Sequence, residues 1–209
     1  MELNLYKGRH GGRRRGSVRK RIHSKGVAHR TRERISHRTP LHINFRFRKS
    51  IRNKESLRLL KKAILNARSK GLQVIHFSLQ SNHIHLIVEA TDNNTRTKGM
   101  RSLTITFAKG LMQGRIQVQR YHLHVLRSLR ETRNAVFYVL FNQQKHEKGT
   151  YSSIDHYTSA FGRQDLIKQF LKQKRMVLKI LKGEMWEGPK PSSWLLTQAL
   201  SDDKAPHRN

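Results

Sequence analysis

His83-Ile84-His85 is the first place where this chain could do chemistry. The pair sits in the apolar run Ile84-His85-Leu86-Ile87-Val88. On a strand, residues two apart face the same way, so two imidazoles could converge on one divalent ion. On a helix the same spacing would part them. The 13 histidines of the chain would produce roughly one His-x-His pair by chance. A second, His122-Leu123-His124, is indeed present. On spacing alone the first pair reads equally well as ligands, as polar strand residues or as nucleic-acid contacts. A second group lies at Tyr138 and Asn142, four apart and therefore on one helical face, with Lys145 a turn further on. Phe137, Val139, Leu140 and Phe141 surround them with apolar residues. A tyrosine in such a place can be core with its hydroxyl satisfied. Asparagine inside a helix is harder to explain that way, being a mediocre helix former. An amide oxygen beside a phenol could complete a two-imidazole, one-oxygen site, and Mg²⁺ or Mn²⁺ accepts such mixed donors.

The elements that must position these groups follow from periodicity. Leu41 to Arg48 alternates apolar and polar, a half-buried strand. Leu57, Leu60, Ile64 and Ala67 recur at helical spacing, and Gly71 closes that helix as a C′ residue. Residues 72–79 predict a second strand and His83 to Ala90 a third, joined by the short turn Gln80-Ser81-Asn82, which makes the two antiparallel. Asp92, Asn93 and Asn94 offer N-caps for a helix carrying Met100, Leu103, Phe107 and Leu111, which ends near Gly114. A fourth strand is expected at Tyr121 to Ser128. Ser128-Leu129-Arg130-Glu131 then reads as a capping box opening a helix that runs to about Lys145. The first six elements spell βαββαβ, so the expected fold class is α+β, a ferredoxin-like antiparallel sheet with a further helix behind it.

Composition sets the partner class. Lys and Arg number 44 against 13 Asp and Glu, a formal net charge of +31 in 209 residues. Self-repulsion on that scale calls for a polyanion, and phosphate contacts with counterion release make nucleic acid the natural one. No apolar stretch is long enough to span a bilayer, which disfavours the membrane as partner. The start, Met1 to Gly12, has no apolar core of a secretory signal. There is no cysteine, which excludes disulfides and thiolate zinc sites. The charge is dense in residues 1–40, where Arg9, Arg13, Arg14, Arg15, Arg19, Lys20 and Arg21 crowd a segment with too few apolar residues to fold alone. This arm is expected to be disordered and to bind DNA. Residues 41–150 form the compact domain. Residues 151–209 form a helical extension in which Asp165 to Leu181 is amphipathic, and Trp186 and Trp194 pack the tail onto the body.

Three segments together resemble a known family. Asn82-His83-Ile84-His85-Leu86 resembles the Asn-His-x-His-Leu signature of the HUH single-tyrosine transposases. Arg120-Tyr121-His122 resembles the segment before their later strand, and Tyr138-Val139-Leu140-Phe141-Asn142 resembles the Tyr-x-x-x-Asn motif of their REP-associated branch. The resemblance covers about residues 41–150. It implies His83, His85 and Asn142 as ligands of Mg²⁺ or Mn²⁺, Tyr138 as nucleophile, and His122 with His124 as a decoy. Lys145 is expected to join the arm in contacting DNA. It implies cleavage and rejoining of single-stranded or hairpin DNA at palindromic repeats through a 5′-phosphotyrosine, by a monomer or homodimer in a bacterial cytoplasm, close to the nucleoid. The chain departs from many members at Gln143, where they have Pro, and at Gln80-Ser81, where they have Met-Pro. Both changes reshape loops and leave the reactive atoms in place. Two competing functions share the charge: a non-catalytic RNA- or ribosome-binding protein, and a metal-dependent nuclease that uses water.

Overall fold

The computed structural model describes residues 33–111, 120–141, 155–161 and 188–200. All of these but Glu33 belong to one compact unit, Arg34–Asn209. The arm residues Arg9, Arg13, Arg14, Arg15, Arg19, Lys20 and Arg21, the expected ligand Asn142, Lys145 and the expected helix of residues 165–181 all lie outside the described residues.

The elements run β1 (Leu41–Arg46), α1 (Lys54–Arg68), β2 (Gln73–Leu79), β3 (His83–Glu89), α2 (Asn93–Gly110), β4 (His122–Val125), α3 (Leu129–Phe141) and α4 (Trp194–Ala199). This is a mixed α/β fold with one antiparallel four-stranded sheet and flanking helices. The strand order is β2-β3-β1-β4, and each neighbouring pair is antiparallel. β3 and β1 are therefore central, hydrogen-bonded on both sides. The fourth strand is half the expected length, four residues rather than eight.

Alternation divides the side chains between two cores. Leu41, Ile43 and Phe45 of β1 and Ile84, Leu86 and Val88 of β3 are fully buried on one face, with Phe77 and Leu79 of β2. α1 and α2 cover them with Leu60, Ile64, Met100, Leu103 and Phe107. Burying each such side chain contributes roughly 1.5–3 kcal/mol. Local chemistry starts and stops these helices. The Asn53 side chain accepts from the Ser56 amide and Asp92 from the amides of Asn94 and Thr95, which satisfies orphan donors of the first turns. α1 ends at the C-cap Ser69, and Gly71, with φ 82°, turns the chain back two residues later. Gly99 lets α2 approach the sheet, since a Cβ there would stand 2.3 Å from that of Leu72.

The opposite face packs against α3, whose Val136, Val139, Leu140 and Phe141 cluster with Ile75, Ile87, Leu126, Ala160 and Leu196. A register shift between Val74 and His76 frees Ile75 to join this second cluster while Val74 stays in the first. The start of α3 is a variant of the expected capping box. Ser128 Oγ accepts from the Glu131 amide, but the Glu131 carboxylate reaches back to the amide of Arg127, one residue before the cap.

Two anchors, one around the buried Glu89 and one half-buried at Arg52, fasten later parts of the chain to the body of the fold. The Glu89 carboxylate accepts from the Ser192 amide, the Ser192 hydroxyl and the Ser193 amide at 2.8, 2.7 and 2.9 Å. Arg52 makes a two-pronged pair with Asp155 at 2.6 and 3.1 Å and lies over the Tyr157 ring. The expectation that Trp194 packs the tail is overturned. Its side chain is 56% exposed, and the fully buried Leu196 and Ala199 do the packing, because Ser193 caps α4 at a phase that turns Trp194 outward. Trp186 lies outside the described residues.

Candidate functional site

The polar phase of the central strands makes the site. With Ile84, Leu86 and Val88 committed to the apolar core, His83, His85, Ile87 and Glu89 must face α3. β1 contributes in the same way, its polar phase being His42, Asn44 and Arg46. The register sets Asn44 opposite His85 and Arg46 opposite His83 on one side of β1. On its other side Asn44 stands opposite His122 and His42 opposite His124. Directly opposed residues share a face, and His76 of β2 stands opposite Ile87, so six histidines from the four strands lie on the α3 side among the described residues.

Within that face a tighter group forms. The His83 and His85 rings stand with centroids 4.8 Å apart, nearly perpendicular. α3 lays the half-buried Tyr138 ring 5.2 Å from His85 and 6.1 Å from His42, edge-on to both. Of the residues singled out from the sequence, His83, His85 and Tyr138 are thus brought together. His122 and His124 are exposed on the edge strand. His124 Nε2 meets Glu131 Oε1 at 2.5 Å. The Glu131 carboxyl is held below its ordinary range, first by the Arg127 N–H it accepts and then by His124.

The electrostatics favour neutral imidazoles. Burial lowers His85 from its ordinary value to about 3, assisted by the neighbouring charges of His42, His83 and Arg46. Burial also lowers His42 to about 4, assisted by His124. A neutral ring offers one lone pair, the form that ligates a metal. His85 Nδ1 lies 3.1 Å from His42 Nε2. Its other nitrogen, Nε2, is buried and makes no hydrogen bond among the described residues. Asn44 Oδ1, on the residue directly opposite, is likewise buried without a partner among the described residues. His83 Nδ1 lies 3.0 Å from Asn82 Oδ1.

These donors fit a hard divalent ion. Two imidazoles and amide oxygens suit Mg²⁺ or Mn²⁺ with water completing the shell. Among the described residues no three His, Cys, Asp or Glu side chains group as a metal site, so oxygen from an amide, a phosphate or water would have to join the imidazole pair. His42, Asn44 and Arg46 were missed from the sequence as site residues. Their signal was the polar phase of β1, and only the pairing register shows which histidines it meets.

No helix among the described residues is long and apolar enough to cross a membrane. No protein-family model matches the chain, and no curated protein matches it. Among solved structures it is similar to a REP-associated tyrosine transposase bound to a REP hairpin, with a TM-score of 0.53 and 16% sequence identity over 80% of this chain and 100% of that one. At that identity the likeness is one of fold alone.

Proposed function

We propose that the chain is a metal-dependent single-strand DNA nicking and joining enzyme of the HUH single-tyrosine type, in its REP-associated branch. The observation that carries the reading is the Tyr138 ring set 5.2 Å from His85, whose buried Nε2 has no hydrogen-bond partner among the described residues, with the His83 ring 4.8 Å from His85. The strand order and the βαββαβ sequence support the ferredoxin-like arrangement that this type uses. The similar solved structure is of a transposase bound to a hairpin, and a net charge of +31 suits a polyanionic substrate.

His83, His85 and Asn142 would hold Mg²⁺ or Mn²⁺, which when bound supplies Lewis acidity at a non-bridging phosphate oxygen. The Tyr138 oxygen attacks phosphorus in line. A Tyr138 O–P bond forms, the P–O3′ bond breaks, and the departing 3′ oxygen takes up a proton. The product is a 5′-phosphotyrosine and a free 3′-hydroxyl. A second 3′-hydroxyl reverses the step and joins strands, so no nucleotide cofactor is consumed. The sheet orients the two imidazoles and keeps that of His85 neutral, while α3 presents the phenol. Residues 1–40 and Lys145 would track the phosphate backbone, residues 41–150 would carry the reaction, and residues 151–209 would extend the contact surface.

Purified protein incubated with labelled single-stranded hairpins and Mn²⁺ should give a covalent adduct stable on a denaturing gel, and Tyr138→Phe should abolish it. An adduct that survives Tyr138→Phe removes the nucleophile from this proposal. Cleavage without an adduct points to a water-using nuclease. Tight binding without cleavage of any hairpin points to a non-catalytic nucleic-acid binder.

A further inference from the structure

We propose that His42 is a positioning residue for His85: its Nε2 accepts a hydrogen bond from His85 Nδ1–H and so reserves the His85 Nε2 lone pair for a divalent cation. The inference rests on the reading of His85 as a ligand. Its own basis is geometric. His42 Nε2 and His85 Nδ1 are 3.1 Å apart, with ring centroids at 5.3 Å and planes inclined at 32°. The two residues are diagonal neighbours, because His42 pairs with Ile87 and Asn44 with His85, and long side chains reach across that diagonal.

Two neutral imidazoles that face each other through one nitrogen apiece can share only one hydrogen. Were His42 the donor, the single hydrogen of His85 would sit on Nε2, where it would be a buried N–H with no acceptor. Orphaned buried N–H groups are rare in folded proteins. With His85 the donor, Nε2 carries a lone pair, which an incoming cation satisfies. The tautomer of a ligating histidine is commonly set by the bond its other nitrogen makes. Here that partner is a second histidine on the neighbouring central strand.

His42 also borders the nucleophile. Its ring is 6.1 Å from that of Tyr138, so one side chain packs against both the imidazole and the phenol. β1 is paired to β3 and to β4, which fixes the His42 backbone from both sides. No sequence motif marks His42. It enters only through a strand register linking positions 43 residues apart.

The test compares wild type, His42→Gln, His42→Phe and His85→Ala. Glutamine can return an acceptor oxygen near the position of His42 Nε2, and phenylalanine fills the space without one. Long-range ¹⁵N–¹H NMR of the metal-free wild type should find the His85 hydrogen on Nδ1. Calorimetric titration with Mn²⁺ should find His42→Phe weakened about 10- to 100-fold. His42→Gln should stay within about threefold of wild type, with unchanged circular dichroism. In the adduct assay His42→Phe should lower kcat and leave KM for the hairpin unchanged. A His85 hydrogen on Nε2, Mn²⁺ affinity in folded His42→Phe equal to wild type, or equal losses in the Gln and Phe variants would each overturn the proposal. Equal Mn²⁺ binding by wild type and His85→Ala would instead remove His85 as a ligand, while the NMR result still decides the direction of the bond.

Discussion

On the face toward α1 and α2, the central strands bury Leu41, Ile43, Phe45, Ile84, Leu86 and Val88, none of them accessible to solvent. On the face toward α3, the same strands present His42, Asn44, Arg46, His83 and His85, and two of these carry buried polar atoms without partners among the described residues. The backbone and pairing are shared, yet the physics is opposite. The first face gains stability from every residue it hides. The second gives some up, since a buried donor or acceptor left unpaired costs on the order of 1–3 kcal/mol. A protein that keeps such atoms in the middle of its sheet gains from them something other than folding.

That contrast can be broken from either side. The largest effect is expected at Tyr138. Tyr138→Phe should lower adduct formation by at least ~10³-fold, as loss of a nucleophile does. Its unfolding midpoint in denaturant should stay near wild type, and a collapse of stability would move Tyr138 from chemistry to core. Phe45→Ala tests the other face. It should cost about 3–5 kcal/mol in denaturant unfolding. Whatever protein remains folded should bind Mn²⁺ as wild type does, and a parallel loss of affinity would show that the two faces are not separable.

Acid should act on one face alone. His42 and His85 have folded values depressed to about 4 and about 3, so below their ordinary value of 6.5 the unfolded chain takes up protons that the folded one refuses. Their contribution to stability is complete above pH 6.5 and drains away as the pH falls toward those values. Metal-free protein should lose on the order of 4 kcal/mol between pH 7 and pH 5 in denaturant titrations. His42→Gln should flatten that slope, and an unaltered slope would free His42 from the effect. Next comes Glu89→Gln, which removes the charge from the carboxylate receiving three hydrogen bonds from Ser192 and Ser193. It should cost about 2 kcal/mol and raise hydrogen exchange in α4 before the rest of the sheet. The smallest change is expected at Glu131→Gln, about 1 kcal/mol from the weakened cap of α3, read as a modest shift in Tm.

How far the sequence was legible depends on the range of the determining interaction. Strand β1, the Asp92 cap, the turn at Gly71 and the hairpin of β2 and β3 are set by residues within a few positions of each other, and all were readable. The proximity of Tyr138 to His83 and His85 was reachable only through a resemblance, because it joins a helix to a strand more than fifty residues earlier. His42 was harder still. It reads as an ordinary polar position of an alternating strand until the register places it diagonally beside His85. Trp194 failed for a different reason: an aromatic residue beside prolines suggests packing, but the cap at Ser193 decides which way it points.

β3 carries a consequence for how such a site is kept over time. Its seven residues interleave two messages, Ile84, Leu86 and Val88 for the first core and His83, His85, Ile87 and Glu89 for the opposite face. A one-residue slip exchanges them, sending imidazoles into the core and aliphatics toward α3. Any inserted or deleted residue in this strand is therefore detected at once as failure to fold. The frame that aims the imidazoles is proofread by stability itself, in every generation, whether or not a DNA strand is ever cut.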